Sequence, residues 1–465
     1  MIIQKALISV LLAPLSRIVG KLPQKARDAM FITGGIGLVL HILLHVSRQE
    51  PYRFLIFFAI SCLFLGLMIL GSLGGEVKPV RFNRFLLIPM LATGLFMGFS
   101  GAINNVNYFP DALLLLVAFP ILYVCWVNSD KERIISHLFT VNIVSLSVFL
   151  ALSFLLVKIT PQKYTGFSGN PNSASYFLTT ASVLLFVQIM YERRFSARSV
   201  LSILLFGIAV SLNYYTNSRS GALALIFSLV LSVVVYAITH SKKSLVEILI
   251  KVGSTVAVSV ICIFTVLYIF QLRQWLPIPY YDLNEKKFIS NEFYDQTTDQ
   301  DPADEADDEK DGFDLFFDNS GYIQVNKDKL DATDKTADGF STGRLSVWKA
   351  YAKDLNLFGH ESIPEVYVSS IFYKNIRSTH MTLLQIAYES GIFAAVCYLA
   401  LNIASGIFAL IYGFKHKAER YALFPLIIIT SFGALYLLES CRVAFWYYNT
   451  LMYYLAMFPL MTKNK

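Results

Sequence analysis

Three short polar clusters interrupt an otherwise apolar chain, and each holds residues able to do chemistry. The first is Thr216-Asn217-Ser218-Arg219-Ser220-Gly221. A tight turn between two apolar runs has no need of an arginine. A guanidinium set among hydroxyls and backbone N–H groups at a helix start makes an anion pocket, with Ser218 in support. An arginine snorkelling to the interface explains the same residue without a ligand. The second cluster closes a long polar segment. Gly343-Arg344 leads into the amphipathic stretch Leu345 to Leu355, which carries Trp348, and Gly359-His360-Glu361 follows. Then come Arg377-Ser378-Thr379-His380-Met381-Thr382, with Glu389 and Gly391 at the mouth of the next apolar run. Most single histidines are structural, but His380 lies between basic residues and a membrane entrance, where an imidazole titrating near neutral pH has work to do. The third cluster, Gly169-Asn170-Pro171-Asn172-Ser173-Ala174, is a turn signal followed by a cap at Asn172 or Ser173, and that reading accounts for it fully.

The elements that carry these clusters are membrane helices. The 465 residues are 55% hydrophobic and 15% charged, with a mean hydropathy of +0.55. Soluble domains carry about 25% charged residues, so a water-soluble globule is excluded. Apolar runs long enough to cross a bilayer recur from end to end, without the alternating ten-residue pattern of barrel strands. The expectation is an all-α integral membrane protein with about twelve transmembrane helices. The spans read as 29–47, 54–73, 84–101, 108–127, 134–157, 173–191, 199–215, 221–239, 246–271, 388–413, 421–439 and 443–461. All five cysteines fall in or beside these runs, so neither a disulfide framework nor a cysteine zinc site is legible. The first residues hold a short apolar stretch, Ala6 to Ala13, without a small-residue cleavage pattern. They read as a cytoplasmic or interfacial segment, 1–28.

Charge sets the orientation. One alternating set of connections, termini included, holds twenty Lys and Arg residues, while the opposite set of short connections holds six. The basic set belongs to the cytoplasm, so both termini are expected there. The chain then divides into spans one to nine (29–271), a large extracytoplasmic loop between spans nine and ten (272–387), the last three spans (388–461) and a cytoplasmic tail (462–465). Within the loop, 282–338 holds 18 Asp and Glu against 6 Lys and reads as a solvated acidic tether, whereas 342–387 carries the motifs. The acidic run lacks the register of a calcium-binding loop. Nothing in the pattern points to nucleic acid.

Taken together, span number, cytoplasmic termini, loop position and the order of the motifs resemble the O-antigen ligase and polymerase family of bacterial membrane glycosyltransferases. The Asn-Pro-Asn turn corresponds to Asn170 to Asn172, a Ser-Arg-Gly-like turn to Ser218, Arg219 and Gly221 with Ser220 interposed, and the loop Gly-Arg to Gly343 and Arg344. The late loop histidine corresponds to His380, with Met381 where the family has Asn, and Glu-x-Gly corresponds to Glu389 to Gly391. The resemblance implies a glycan donor on a polyprenyl diphosphate, a glycan, lipid or protein acceptor, the bilayer as host, and the bacterial cytoplasmic membrane as location. It implies that Arg219 and Arg344 clamp the diphosphate, with Arg377 and Arg442 as further anion contacts. His380 would take the acceptor proton and Glu389 would orient a partner. No metal and no cofactor is implied, and direct displacement would invert the anomeric centre.

Two other readings stand beside it. A secondary transporter or flippase of lipid-linked sugars also fits twelve spans, but the loop after the ninth span breaks the two-halves pattern expected there. A metal-dependent glycosyltransferase with acidic residues in its first outer loop fits poorly, since that loop holds only Glu50.

Overall fold

The computed structural model describes residues 2–46, 53–157, 164–192, 196–239, 242–275, 280–282, 287–289, 344–363, 366–368, 374–376, 378–441 and 447–462. Nearly all of the expected acidic tether, together with Arg377 and Arg442, lies outside these residues.

Helices make up almost everything described, as a bilayer demands when no water is at hand for open backbone groups. Among the described residues nine helices are long and apolar enough to cross a membrane: Gln24–Leu44, Arg84–Ile103, Val106–Val127, Lys131–Leu156, Pro171–Tyr191, Ala197–Tyr215, Arg219–Thr239, Val246–Arg273 and Ile392–Lys415. Two shorter apolar helices, Ile56–Ser72 and Phe424–Leu438, accompany them. The chain is a multi-pass α-helical membrane protein. Among the described residues strand is confined to two antiparallel pairs of three-residue strands, Tyr280–Asp282 with Lys287–Ile289 and Val366–Val368 with Lys374–Ile376.

Pro171–Tyr191 forms the centre of the bundle. It packs against Lys131–Leu156, Ala197–Tyr215, Arg219–Thr239, Phe424–Leu438 and Tyr448–Ala456, and 94% of its most apolar stretch is buried, against 22% for Val246–Arg273. Its buried Ala174, Ser175, Thr179, Ala181 and Ser182 let neighbouring helices come close. The helix starts as Pro171 directs, with Asn170 as the capping residue, its Oδ1 accepting from the N–H groups of Asn172 and Ser173. The expected cap at Asn172 or Ser173 is therefore displaced to the residue before the proline.

Several boundaries differ from the hydropathy reading. The tenth span does not run unbroken from residue 388: one helix ends at Ser390, Gly391 adopts φ +90°, and a second helix, Ile392–Lys415, begins. The break lets the loop after Lys353 dock on the backbone. Ile392 N–H donates to the Asn356 carbonyl and His360 N–H to the Tyr388 carbonyl. Gly359, at φ +85°, and Gly391 lie against each other's segments, and a Cβ would sit 2.2 Å from the Glu389 carbonyl oxygen at the first and 2.2 Å from that of Leu357 at the second. Ser100, Asn104 and Asn105 tie the end of Arg84–Ile103 to this same clamp. The described part of the twelfth expected span, 443–461, holds the nine-residue helix Tyr448–Ala456 and a short 3-10 turn, Phe458–Leu460. In the fourth, a π turn at Leu114–Ala118 interrupts the helix ahead of Pro120, whose ring nitrogen has no proton to donate. At the N-terminus the first long helix starts at Gln24 rather than at the expected boundary after residue 28.

The interlocked glycines yield a stability prediction. Gly391→Ala and Gly359→Ala each force a non-glycine residue into the left-handed region against a backbone carbonyl, and each should lower stability by about 2 kcal/mol or more. Gly406→Ala, which meets nothing within 4 Å inside a helix, should be neutral or slightly stabilising. Thermal unfolding of the detergent-solubilised protein, followed by tryptophan fluorescence, separates the two cases.

Candidate functional site

The cluster is built around a carboxylate that sequence reading passed over. Glu439 follows the last turn of Phe424–Leu438 and is only 3% exposed. Such a group is expensive to bury unless it is matched by cations and hydrogen-bond donors. Three segments remote in sequence supply them. Arg344 Nη2 donates to Glu439 Oε1 at 2.7 Å, Ser220 Oγ donates to the same oxygen at 2.9 Å, and His380 Nδ1 lies 3.4 Å from Oε2. The phenol of Tyr176, on the central helix, lies within electrostatic reach of the same carboxylate.

Each partner is positioned by its own local structure. Arg344 opens the helix Arg344–Lys353. Its Nη1 donates to the Leu438 carbonyl at 2.6 Å, so one guanidinium neutralises the carboxylate and satisfies an open carbonyl at a helix C-terminus. Trp348, one turn on, donates its indole N–H to the Thr379 carbonyl at 2.8 Å, which ties the Arg344 helix to the His380 turn. His380 adopts φ +50°. The turn around it is fixed from both sides: its N–H donates to Ser378 Oγ, Met381 N–H donates to Ser440 Oγ, and Thr382 Oγ1 donates to the Glu439 carbonyl while accepting from Cys441 N–H.

Ser220 sits in the first turn of Arg219–Thr239, where Ser218 Oγ hydrogen-bonds with it and accepts from Gly221 N–H. Gly221 lets this turn press against the central helix, since a Cβ there would meet Ser175 Oγ at 1.8 Å. Beneath it Ser175 donates to Asn213 Oδ1, and the Asn213 amide donates to Thr179. Arg219 stands one residue from Ser220, exposed, and its side chain has no hydrogen bond or ion pair with another described residue.

The expected site residues therefore divide. Ser218, Arg344 and His380 belong to the Glu439 cluster, and Arg219 adjoins it through Ser220. Asn170 and Asn172 form the start of the central helix, with Asn170 as its cap. Glu389 is buried apart from Glu439. Its carboxylate accepts from Gln385 at 2.9 Å, and Gln385 in turn accepts from the Thr379 backbone and hydroxyl, so it reaches the residue before His380 through one side chain. His360 stacks on Tyr388 at 4.2 Å within the glycine clamp and serves the architecture. Among the described residues no group of three or more His, Cys, Asp or Glu is placed to hold a metal ion. Comparisons with protein-family models, with curated proteins and with solved structures yield no match.

One chemical consequence follows from the geometry. A carboxylate facing Nδ1 favours the tautomer with its proton on that nitrogen, which leaves Nε2 as the accepting atom. The arrangement is thus a fixed cation, an oriented imidazole and an adjoining exposed guanidinium.

The Arg344–Glu439 pair should show strong coupling. Arg344→Ala leaves a buried carboxylate short of its cation and should cost about 3 kcal/mol, toward the low end for such pairs because the Arg344 side chain is 25% exposed. Adding Glu439→Ala removes the orphaned charge, so the double variant should be no less stable than Arg344→Ala alone. A double-mutant cycle in detergent measures the coupling.

Proposed function

We propose that the chain transfers a glycan from a polyprenyl diphosphate carrier to an acceptor hydroxyl, as a metal-independent, inverting polysaccharide ligase or polymerase. The observation that carries this reading is the convergence of Ser220, Arg344 and His380 on Glu439, with Arg219 at the edge of the cluster. In this reading the chain crosses the bacterial cytoplasmic membrane twelve times with both termini inside. The Glu439 cluster then lies at the outer headgroup level, where a diphosphate lipid presents its phosphates. The excess of basic residues on the alternate connections supports that orientation.

The residues take distinct parts. Both terminal nitrogens of Arg344 are committed to Leu438 and Glu439, so its main contribution is to fix and neutralise the carboxylate. Arg219 is free to meet phosphate oxygens with its planar donors. The acceptor oxygen attacks the anomeric carbon while the bond from that carbon to the phosphate oxygen breaks. The electron pair leaves with the diphosphate, whose growing charge the guanidinium offsets. His380 Nε2 takes the acceptor proton, and Glu439 stabilises the imidazolium that forms.

The test uses the purified protein with a fluorescent polyprenyl diphosphate oligosaccharide and an acceptor glycan. Arg219→Ala and His380→Ala should each lower transfer about 100-fold or more, Arg219→Lys should recover part of it, and EDTA should have no effect. Full activity in both alanine variants removes the assignment. Substrate-dependent flux in proteoliposomes without glycan product would instead make the chain a transporter or flippase of lipid-linked sugars.

A further inference from the structure

The two helices that meet the glycine clamp run on to the opposite end of the molecule, where they frame a groove that the catalytic reading does not use. Arg84–Ile103 begins there and Ile392–Lys415, packed along it, ends there, with the turn Phe458–Leu460 against the latter. The turn is pinned to the first helix, as Asn83 N–H donates to the Met461 carbonyl and Phe82 forms an isolated β-bridge with Thr462. Between these elements lies a groove of about 300 Å³. Its floor is apolar, formed by Phe85, Phe408, Ile411, Pro459 and Leu460, and Lys415 stands at its edge.

Two observations bear on what it would hold. The groove opens onto exposed apolar surface: Phe85 is 69% exposed, and Ile88, Ile403, Ile407 and Phe414 extend the apolar face along both helices. Two exposed cations belong to the same two helix ends. Arg84, next to the groove residue Phe85, and Lys415 are exposed, and neither side chain makes a hydrogen bond or ion pair with another described residue. The neighbouring acid, Glu419, is already engaged by the Tyr412 hydroxyl and by His416 Nδ1. An apolar slot beside two exposed cations that no described acid engages matches the chemistry of an anionic amphiphile. We propose that this groove holds an anionic phospholipid, with part of one acyl chain on the Phe85–Phe408–Leu460 floor and the phosphate between Arg84 and Lys415.

The site is independent of the catalytic reading and survives its failure. Lipid lodged there would bridge the start of Arg84–Ile103, the end of Ile392–Lys415 and the C-terminal turn, joining elements distant in sequence.

Native mass spectrometry of the full chain in neutral detergent, titrated with phosphatidylglycerol or phosphatidylcholine, tests the proposal. The wild type should retain one phosphatidylglycerol with about tenfold preference over phosphatidylcholine. The double variant Arg84→Ser/Lys415→Ser should lose that preference, while Arg17→Ser/Lys21→Ser, which removes two other exposed cations, should keep it. Ile411→Trp, which fills the groove and leaves both charges in place, should lose the retained lipid, and it serves as the test if the charge variants do not fold. Equal binding of the two lipids by the wild type overturns the site. So does an unchanged preference in Arg84→Ser/Lys415→Ser, an equal loss in the control pair, or full retention in Ile411→Trp.

Discussion

A carboxylate withdrawn from water at the end of an apolar helix cannot stand alone, and the demand it creates organises one whole end of this protein. Glu439 is matched by one full cation, one hydroxyl and one imidazole, each delivered by a different part of the chain. To meet that demand the Arg219 helix has to press its first turn against the central helix. The Arg344 helix has to lie over the end of Phe424–Leu438, and the His380 turn has to be stitched to residues 439–441. Trp348 and Thr382 do the joining. The local backbone yields to the same requirement: His380 takes a left-handed conformation that side chains with a Cβ seldom adopt.

The glycine clamp next to this cluster solves a different problem. A helix entering a membrane at full length would leave the polar segment before it without a seat. Breaking the helix at Gly391 opens its backbone, and the loop around Gly359 docks there through main-chain hydrogen bonds. Glu389 and Gln385, on the short helix before the break, then face back toward the His380 turn. Positioning of the imidazole thus rests on two layers of support, one anchored at Glu439 and one at the clamp.

Hydropathy made the helices legible, because an apolar run of membrane length has few other fates. It was weaker where a helix changes character without changing composition. Pro120 sits inside a continuous apolar run whose hydrophobicity does not mark the π turn ahead of it, and at Gly391 the polar pair Glu389-Ser390 marked the mouth of a span without revealing a second helix before it. The capping residue was misplaced by two or three positions because proline at the first helical position moves the cap ahead of it, to Asn170. Arg344, His380 and Ser218 were recognisable as polar residues at the ends of apolar runs. Glu439 met the same criterion and was overlooked, since no motif surrounds it. Its partners lie 59, 95 and 219 residues away, and contacts at that distance leave no local pattern.

The central helix carries a consequence for how the protein is made. Pro171–Tyr191 holds Ser175, Thr179, Thr180, Ser182 and Gln188 among its buried residues, and its covering partners include Phe424–Leu438 and Tyr448–Ala456, which the ribosome produces more than two hundred residues later. Through most of synthesis this hydroxyl-rich segment therefore stands in the bilayer with part of its polar surface turned to lipid or to the insertion machinery. That face closes only when Phe424–Leu438 and Tyr448–Ala456 arrive, so a chain cut short before Phe424 leaves it without the partners that cover it here.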